Sequence, residues 1–266
     1  MNHKRLRIGW LILLLPLYAA CSATYLGQSG RLGGNDWRTA SREPVGLAPD
    51  PASTPEAVVQ VYAARTISWR GYFGVHTWIA TKPSGADEFT VHEVIGYRLG
   101  RTGTAVVSRA RAPDGRWFGA EPDLLRDVRG PGVDALIERI ETAVQNYPYA
   151  GTYRIWPGPN SNTFTAFVLR DVPELRVDLP PTAIGKDYLG ALPMAFTPSG
   201  TGGQVNVLGL AGIAAGWEEG LELNLLGLTF GIDPASLSLK LPLLGRIGPN
   251  DHEPLIIEER IPAPAP

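Results

Sequence analysis

Hydrophobic positions change period several times along this chain, and each change predicts an element. Ile8 to Tyr18 is apolar except at Gly9 and Pro16, and it follows the basic residues Lys4, Arg5 and Arg7. Thr54-Pro55-Glu56 combines a capping hydroxyl, a proline at the first helical position and an early acid. It predicts a helix through Val58, Val59, Val61 and Tyr62 to about Arg65. The period then shortens. Phe73 to Ala80 and Glu88 to Leu99 predict two strands around the hairpin-like loop Lys82 to Asp87, with further strands at Thr104–Arg109 and Arg116–Gly119. Val133, Leu136, Ile137, Ile140, Ala143 and Val144 recur at helical spacing and predict an amphipathic helix over 133–145. Trp156-Pro157-Gly158-Pro159 is turn chemistry, and Asn160 is a good N-cap for a helix through Phe164, Phe167 and Val168. From Gln204 to Leu244 the chain is apolar and glycine-punctuated, predicting strands near 204–210, 221–230 and 236–241. No internal repeat is evident. The whole predicts an α+β fold: an antiparallel sheet packed on helices, with a C-terminal β-rich extension.

The N-terminal pattern divides the chain. A basic start, a short apolar run and the small residues Ala19 and Ala20 read as a signal peptide over residues 1–20. Cys21, the only cysteine, follows directly and resembles the lipidated residue of a bacterial lipoprotein. The match departs in one place, because Leu17 falls one position early and Tyr18 takes its site. Cleavage after Ala23, or an uncleaved anchor, stays open. Residues 21–52 read as a tether, 53–248 as one globular domain and 249–266 as a tail. The expected address is the cell envelope, with the membrane as partner through an N-terminal lipid anchor. One cysteine forms no intramolecular disulfide, so nothing of that kind staples an exported domain.

Composition narrows the chemistry. A formal net charge of −2 gives no electrostatic case for nucleic acid, and 31 glycines with 24 prolines argue against a helical bundle. HExxH, GxSxG and a phosphate-loop signature are all missing from the sequence, so neither a metal nor a cofactor is expected. His76 and His92 fall on neighbouring predicted strands, where their side chains could meet. Ser161 falls in the first turn of a predicted helix, where backbone N–H groups and the helix dipole favour a nucleophile. Asn160, Asn162, Thr163, Trp78, Lys186 and Asp187 are the candidate binding residues around them.

The segments His76-Thr77-Trp78-Ile79, His92 and Asn160-Ser161-Asn162-Thr163-Phe164 resemble the circularly permuted papain-like superfamily, which includes the lecithin:retinol acyltransferase-like proteins. In that branch a strand histidine comes first, a polar partner follows on the next strand, and a cysteine opens a helix last. The resemblance covers roughly residues 70–170 and implies a permuted papain-like sheet. It also implies that Ser161 attacks an amide or ester, His76 carries the proton and His92 orients His76. Peptidoglycan peptides or acyl groups are the implied substrates. Serine in place of cysteine is a departure, because a hydroxyl needs general-base help during attack. The same exchange fits a domain that has lost catalysis and binds an envelope ligand or serves structurally. More closely, His76-Thr77-Trp78, Trp156 to Phe164 and Leu179 to Asp187 resemble a family of uncharacterised bacterial exported proteins, over about Trp37 to Gly248. That family implies no activity.

Overall fold

The computed structural model describes residues 3–34, 36–249 and 255–257, with residues 3–13 described as backbone only. Its first element is the helix α1 (His3–Gln28), which runs on through Pro16 and the exposed Cys21. Four strands follow: β1 (Val58–Arg65), β2 (Val75–Lys82), β3 (Thr90–Val94) and, after the single turn α2 (Leu99–Thr102), β4 (Val106–Ala110). Next come β5 (Pro122–Arg129) and the helices α3 (Val133–Gln145) and α4 (Ser161–Asp171). The C-terminal part is a succession of short strands: β6 (Met194–Phe196), β7 (Gly202–Val207), β8 (Ala211–Gly216), β9 (Gly220–Leu225), β10 (Leu228–Asp233), β11 (Ser238–Leu241) and β12 (Gly245–Ile247). A final strand, β13 (Leu255–Ile256), pairs in parallel with β5.

These elements build two sheets. The first has six strands in the order β13-β5-β1-β2-β3-β4, and the second is a seven-stranded antiparallel meander from β6 to β12. The fold is therefore mixed α and β with few helices and a β-rich C-terminal region.

The helix expected at 54–65 is instead strand β1. All eight of its residues are buried, because β2 and β5 pair on either side and both faces are covered. A run buried on both faces loses the alternation that marks a strand, so the local helix-start signal misled the sequence reading. One face of the sheet packs on α3 and α4, where Val59, Val61, Val75 and Ile79 meet Leu136, Ile140, Phe164 and Val168. The other face carries a smaller cluster around Tyr62, Trp78, Phe89 and Ala120.

The stretch expected to be a tether is laid against this second face. Gly34 N donates to the Phe118 carbonyl at 2.8 Å, and Leu47 N donates to Asp114 Oδ2 at 2.7 Å. Tyr18 on α1 donates to the Pro242 carbonyl in the turn between β11 and β12. Among the described residues, no helix is long and apolar enough to cross a membrane. The tail expected over 249–266 lies outside the described residues except for 249 and 255–257.

Candidate functional site

The turn before α4 is built from side chains that bond back to the backbone. Trp156-Pro157 and Gly158-Pro159 are both cis peptide bonds, and Gly158 has φ +136°. Asn160 caps the helix: its Oδ1 accepts from Asn162 N at 2.9 Å and Thr163 N at 3.2 Å. Thr163 completes a capping box, since its Oγ1 accepts from Asn160 N at 3.2 Å and donates to the Gly185 carbonyl at 2.8 Å. The Asn160 amide also donates to the carbonyls of Ile155 and Ile184. Gly185 makes room for this contact, because a Cβ there would fall 2.4 Å from the Asn160 amide nitrogen, and its φ is +98°.

Asn162 reaches the sheet. Its Nδ2 donates to the Val75 carbonyl at 3.0 Å and the Ile184 carbonyl at 2.9 Å, and its Oδ1 accepts from Thr77 Oγ1 at 3.0 Å. The Asn-Ser-Asn-Thr turn thus fastens α4 to β2 and to the 182–187 loop. Ser161, at the first helical position, is buried, and its hydroxyl makes no hydrogen bond among the described residues.

The expected relay of Ser161, His76 and His92 is not assembled. Ile79 lies opposite His92 in the β2–β3 register, so these two share a face. His76 is an odd number of residues from Ile79 and takes the opposite face. Side-chain contacts agree. Thr77 and Val75 point toward α4, whereas the His76 ring stacks on Trp117 at 3.7 Å and on Trp78 at 5.7 Å. The sheet itself therefore stands between His76 and Ser161. His92 does not orient His76 either: its Nε2 is 3.1 Å from Thr81 Oγ1 and its Nδ1 is 2.8 Å from Ser108 Oγ.

The residue that does partner His76 is Glu93, missed in the sequence because a lone acid within a strand carries no pattern. His76 Nε2 lies 2.8 Å from Glu93 Oε2, and Arg109 and Arg111 approach the other oxygen at 3.2 and 3.5 Å. Burial works against charge on Glu93, but the His76 hydrogen bond and then the two guanidinium groups hold its pKa down to about 2. Burial also lowers the pKa of His76, outweighing the opposing pull of Glu93, so the imidazole is neutral at pH 7. Arg109 and Arg111 consequently supply the positive charge that balances Glu93. His92 is pushed down to about 4 by burial alone.

Trp78, expected to bind a ligand, is buried between Tyr62 and His76 and donates its indole N–H to the Pro113 carbonyl at 2.8 Å. Lys186 and Asp187 are buried as well, in an ionic network beneath the second sheet. Lys186 pairs with Glu222 and with Asp187 Oδ1 at 3.4 Å, and Asn224 donates to Asp187 Oδ2 at 2.7 Å. Lys240 joins Glu222 to Asp178, each contact within 2.8 Å. Burial pulls the Lys186 ammonium down, but Asp187 and Glu222 more than offset this and its pKa is raised. Among the described residues, no group of three or more histidine, cysteine or acidic side chains is placed to hold a metal ion.

A family model described as a protein of unknown function (DUF3750) matches residues 56–188, half of the chain, and the chain belongs to that family. The match holds the histidine strand, the Trp156–Phe164 turn and the Leu179–Asp187 loop, and it ends before the second sheet. No curated protein and no solved structure matches the chain significantly.

Proposed function

We propose that this protein is a non-catalytic module of the cell envelope, exported and held at a membrane through its N-terminal segment, that binds an envelope ligand or serves structurally. The observation that carries the reading is the separation of Ser161 from His76 by the first sheet. A serine without a base is a poor nucleophile at neutral pH. The helix start offers little in compensation. Its N–H groups at Asn160, Asn162 and Thr163 are already taken by the capping box, so they are not free to form an oxyanion hole.

The layout retains the order that suggested a permuted papain-like ancestry, with a histidine strand, a neighbouring strand and a helix opened by Asn-Ser-Asn. In this reading the domain descends from such a fold and has converted its nucleophile turn into a clamp. The anchor in this reading is the uncleaved helix α1, docked on the domain through Tyr18 and the Pro242 carbonyl, with Cys21 exposed on it. A concave surface open to a peptidoglycan peptide or acyl ligand is a groove of about 810 Å³ bordered by residues 44–46 and 48–51, Phe89, Arg111 and Asp114.

The test is covalent labelling with a panel of fluorophosphonates of different size, comparing wild type with Ser161→Ala. The reading predicts no signal from either. A signal present in wild type and absent in Ser161→Ala would overturn it.

A further inference from the structure

The second sheet is inverted. Its inward side chains are polar and its outward ones are apolar. Inward, Gln204, Glu222, Lys240, Asn206 and Asn224 are buried against the rest of the chain. Outward, the registers align Met194, Val205, Ile213, Leu223 and Phe230 in one row across five strands. A second row runs from Leu221 through Ile232 and Leu239 to Ile247. No outward position of β6 to β12 carries a charge. The exposure is extensive, with Met194 at 65 %, Phe196 at 73 % and Leu223 at 43 %. Seven strands of this length make a face of roughly 30 by 20 Å, at the upper limit of apolar patches on soluble monomers.

We propose that this face is a membrane-contact surface that seats on the acyl layer of a phospholipid leaflet. Two observations favour lipid over a protein partner. A protein interface of this size carries about one hydrogen bond per 100–200 Å², yet the outward rows offer no polar side chain to make one. The face is also continuous with the segment already read as membrane-directed, because α1 docks at its corner through Tyr18 and Pro242 and exposes Leu14, Leu15 and Leu17 beside it. The turns at that end of the meander, Leu208-Gly209 and Leu226-Gly227, present exposed leucines at positive φ. Trp217 stands at the opposite rim, the amphipathic type of residue found at bilayer interfaces. Strands of six residues fall short of the roughly 9–11 needed to span a bilayer, so the sheet lies on the membrane rather than across it.

The proposal rests on the membrane placement of the reading above, and three label positions keep the two separable. In a Cys21→Ser background of the full chain, a polarity-sensitive fluorophore is attached through Leu15→Cys, Leu223→Cys or Glu138→Cys, all at exposed or solvent-side positions. Each protein is mixed with vesicles of phosphatidylethanolamine and phosphatidylglycerol, with and without acyl-chain quencher lipids. The expected result at position 223 is a blue shift on adding vesicles and a loss of emission when they contain quencher lipids, with neither at 138. Quenching at 15 without any at 223 would overturn this proposal and leave the N-terminal anchor intact. Quenching at 223 without any at 15 would uphold it and overturn insertion of α1 as the anchor. A label at 223 that is already shielded without lipid, in a dimer that vesicles do not dissolve, would overturn it in favour of a second copy.

Discussion

Asn162→Ala should be among the most damaging single substitutions in this chain. The side chain makes three hydrogen bonds, to the Val75 and Ile184 carbonyls and from the Thr77 hydroxyl, all within 3.0 Å. Thr77 is fully buried, so its hydroxyl would lose its partner with no water to replace it. Net contributions of about 1 kcal/mol for each of the three bonds give a loss of about 3 kcal/mol, before any cost of leaving the Thr77 hydroxyl orphaned. For a domain of this size that corresponds to a fall in Tm of about 6–12 °C. Urea unfolding followed by circular dichroism measures it directly, provided the slope with denaturant is unchanged. Asn162→Asp should do no better, because it turns a donor into an acceptor facing two carbonyl oxygens. Ser161→Ala, which breaks no hydrogen bond among the described residues, should shift stability by under about 1 kcal/mol. A small loss in Asn162→Ala, equal to that in Ser161→Ala, would refute the view that this turn is a clamp.

Two further outcomes follow from buried charge. His92 has a folded pKa of about 4, below the ordinary 6.5, so the unfolded chain takes up its proton first. The His92 contribution should therefore fall by about 3 kcal/mol as pH drops from 6.5 to 4 and change no further below that, where loss of charge on Glu93 takes over. His92→Gln should make this interval shallower in a pH series of unfolding curves, with the His76 contribution remaining. Lys186→Met should cost about 3–5 kcal/mol, because it leaves Glu222 and Asp187 buried with too little positive charge. Thermal denaturation would show it as a large drop in Tm, and a neutral result would mean that water reaches the network.

How much of this was legible beforehand depends on what each segment is packed against. Helix α3 presents one apolar stripe to the sheet, so its period alone gave its bounds, 133–145. The cap at Asn160 is a local event and was equally readable. Strand β5 was missed because Asp123, Arg126, Asp127 and Arg129 lie near the sheet edge and break any apolar run. The pairing of histidines failed for a different reason. Whether His76 and His92 share a face depends on strand register, and a one-residue slip across the loop between β2 and β3 reverses the answer.

The second sheet gave its alternation but not its orientation. Val205, Val207, Leu221, Leu223 and Leu225 mark strands correctly, yet period-two reasoning assigns them to a core. It is Gln204, Asn206, Glu222 and Asn224 that are buried. The second sheet also carries a short repeat. Asn206-Val207-Leu208-Gly209 and Asn224-Leu225-Leu226-Gly227 form equivalent turns, in which the asparagine Oδ1 accepts from the glycine N–H at 2.6 and 3.1 Å.

The separation of residue 161 from His76 is tested most directly by the acidity of a thiol placed there. In a Cys21→Ser background, Ser161→Cys would be alkylated with iodoacetamide across a pH range to obtain the apparent thiol pKa. A cysteine beside a histidine at a helix start titrates at roughly 3.5–7.5. With the sheet between them and the N–H groups of Asn162 and Thr163 already bonded to the Asn160 side chain, the thiol should titrate at or above about 8.5. Adding His76→Gln should leave that value unchanged. A pKa well below 7 that returns to normal when His76 is replaced would put the two side chains together and contradict the account.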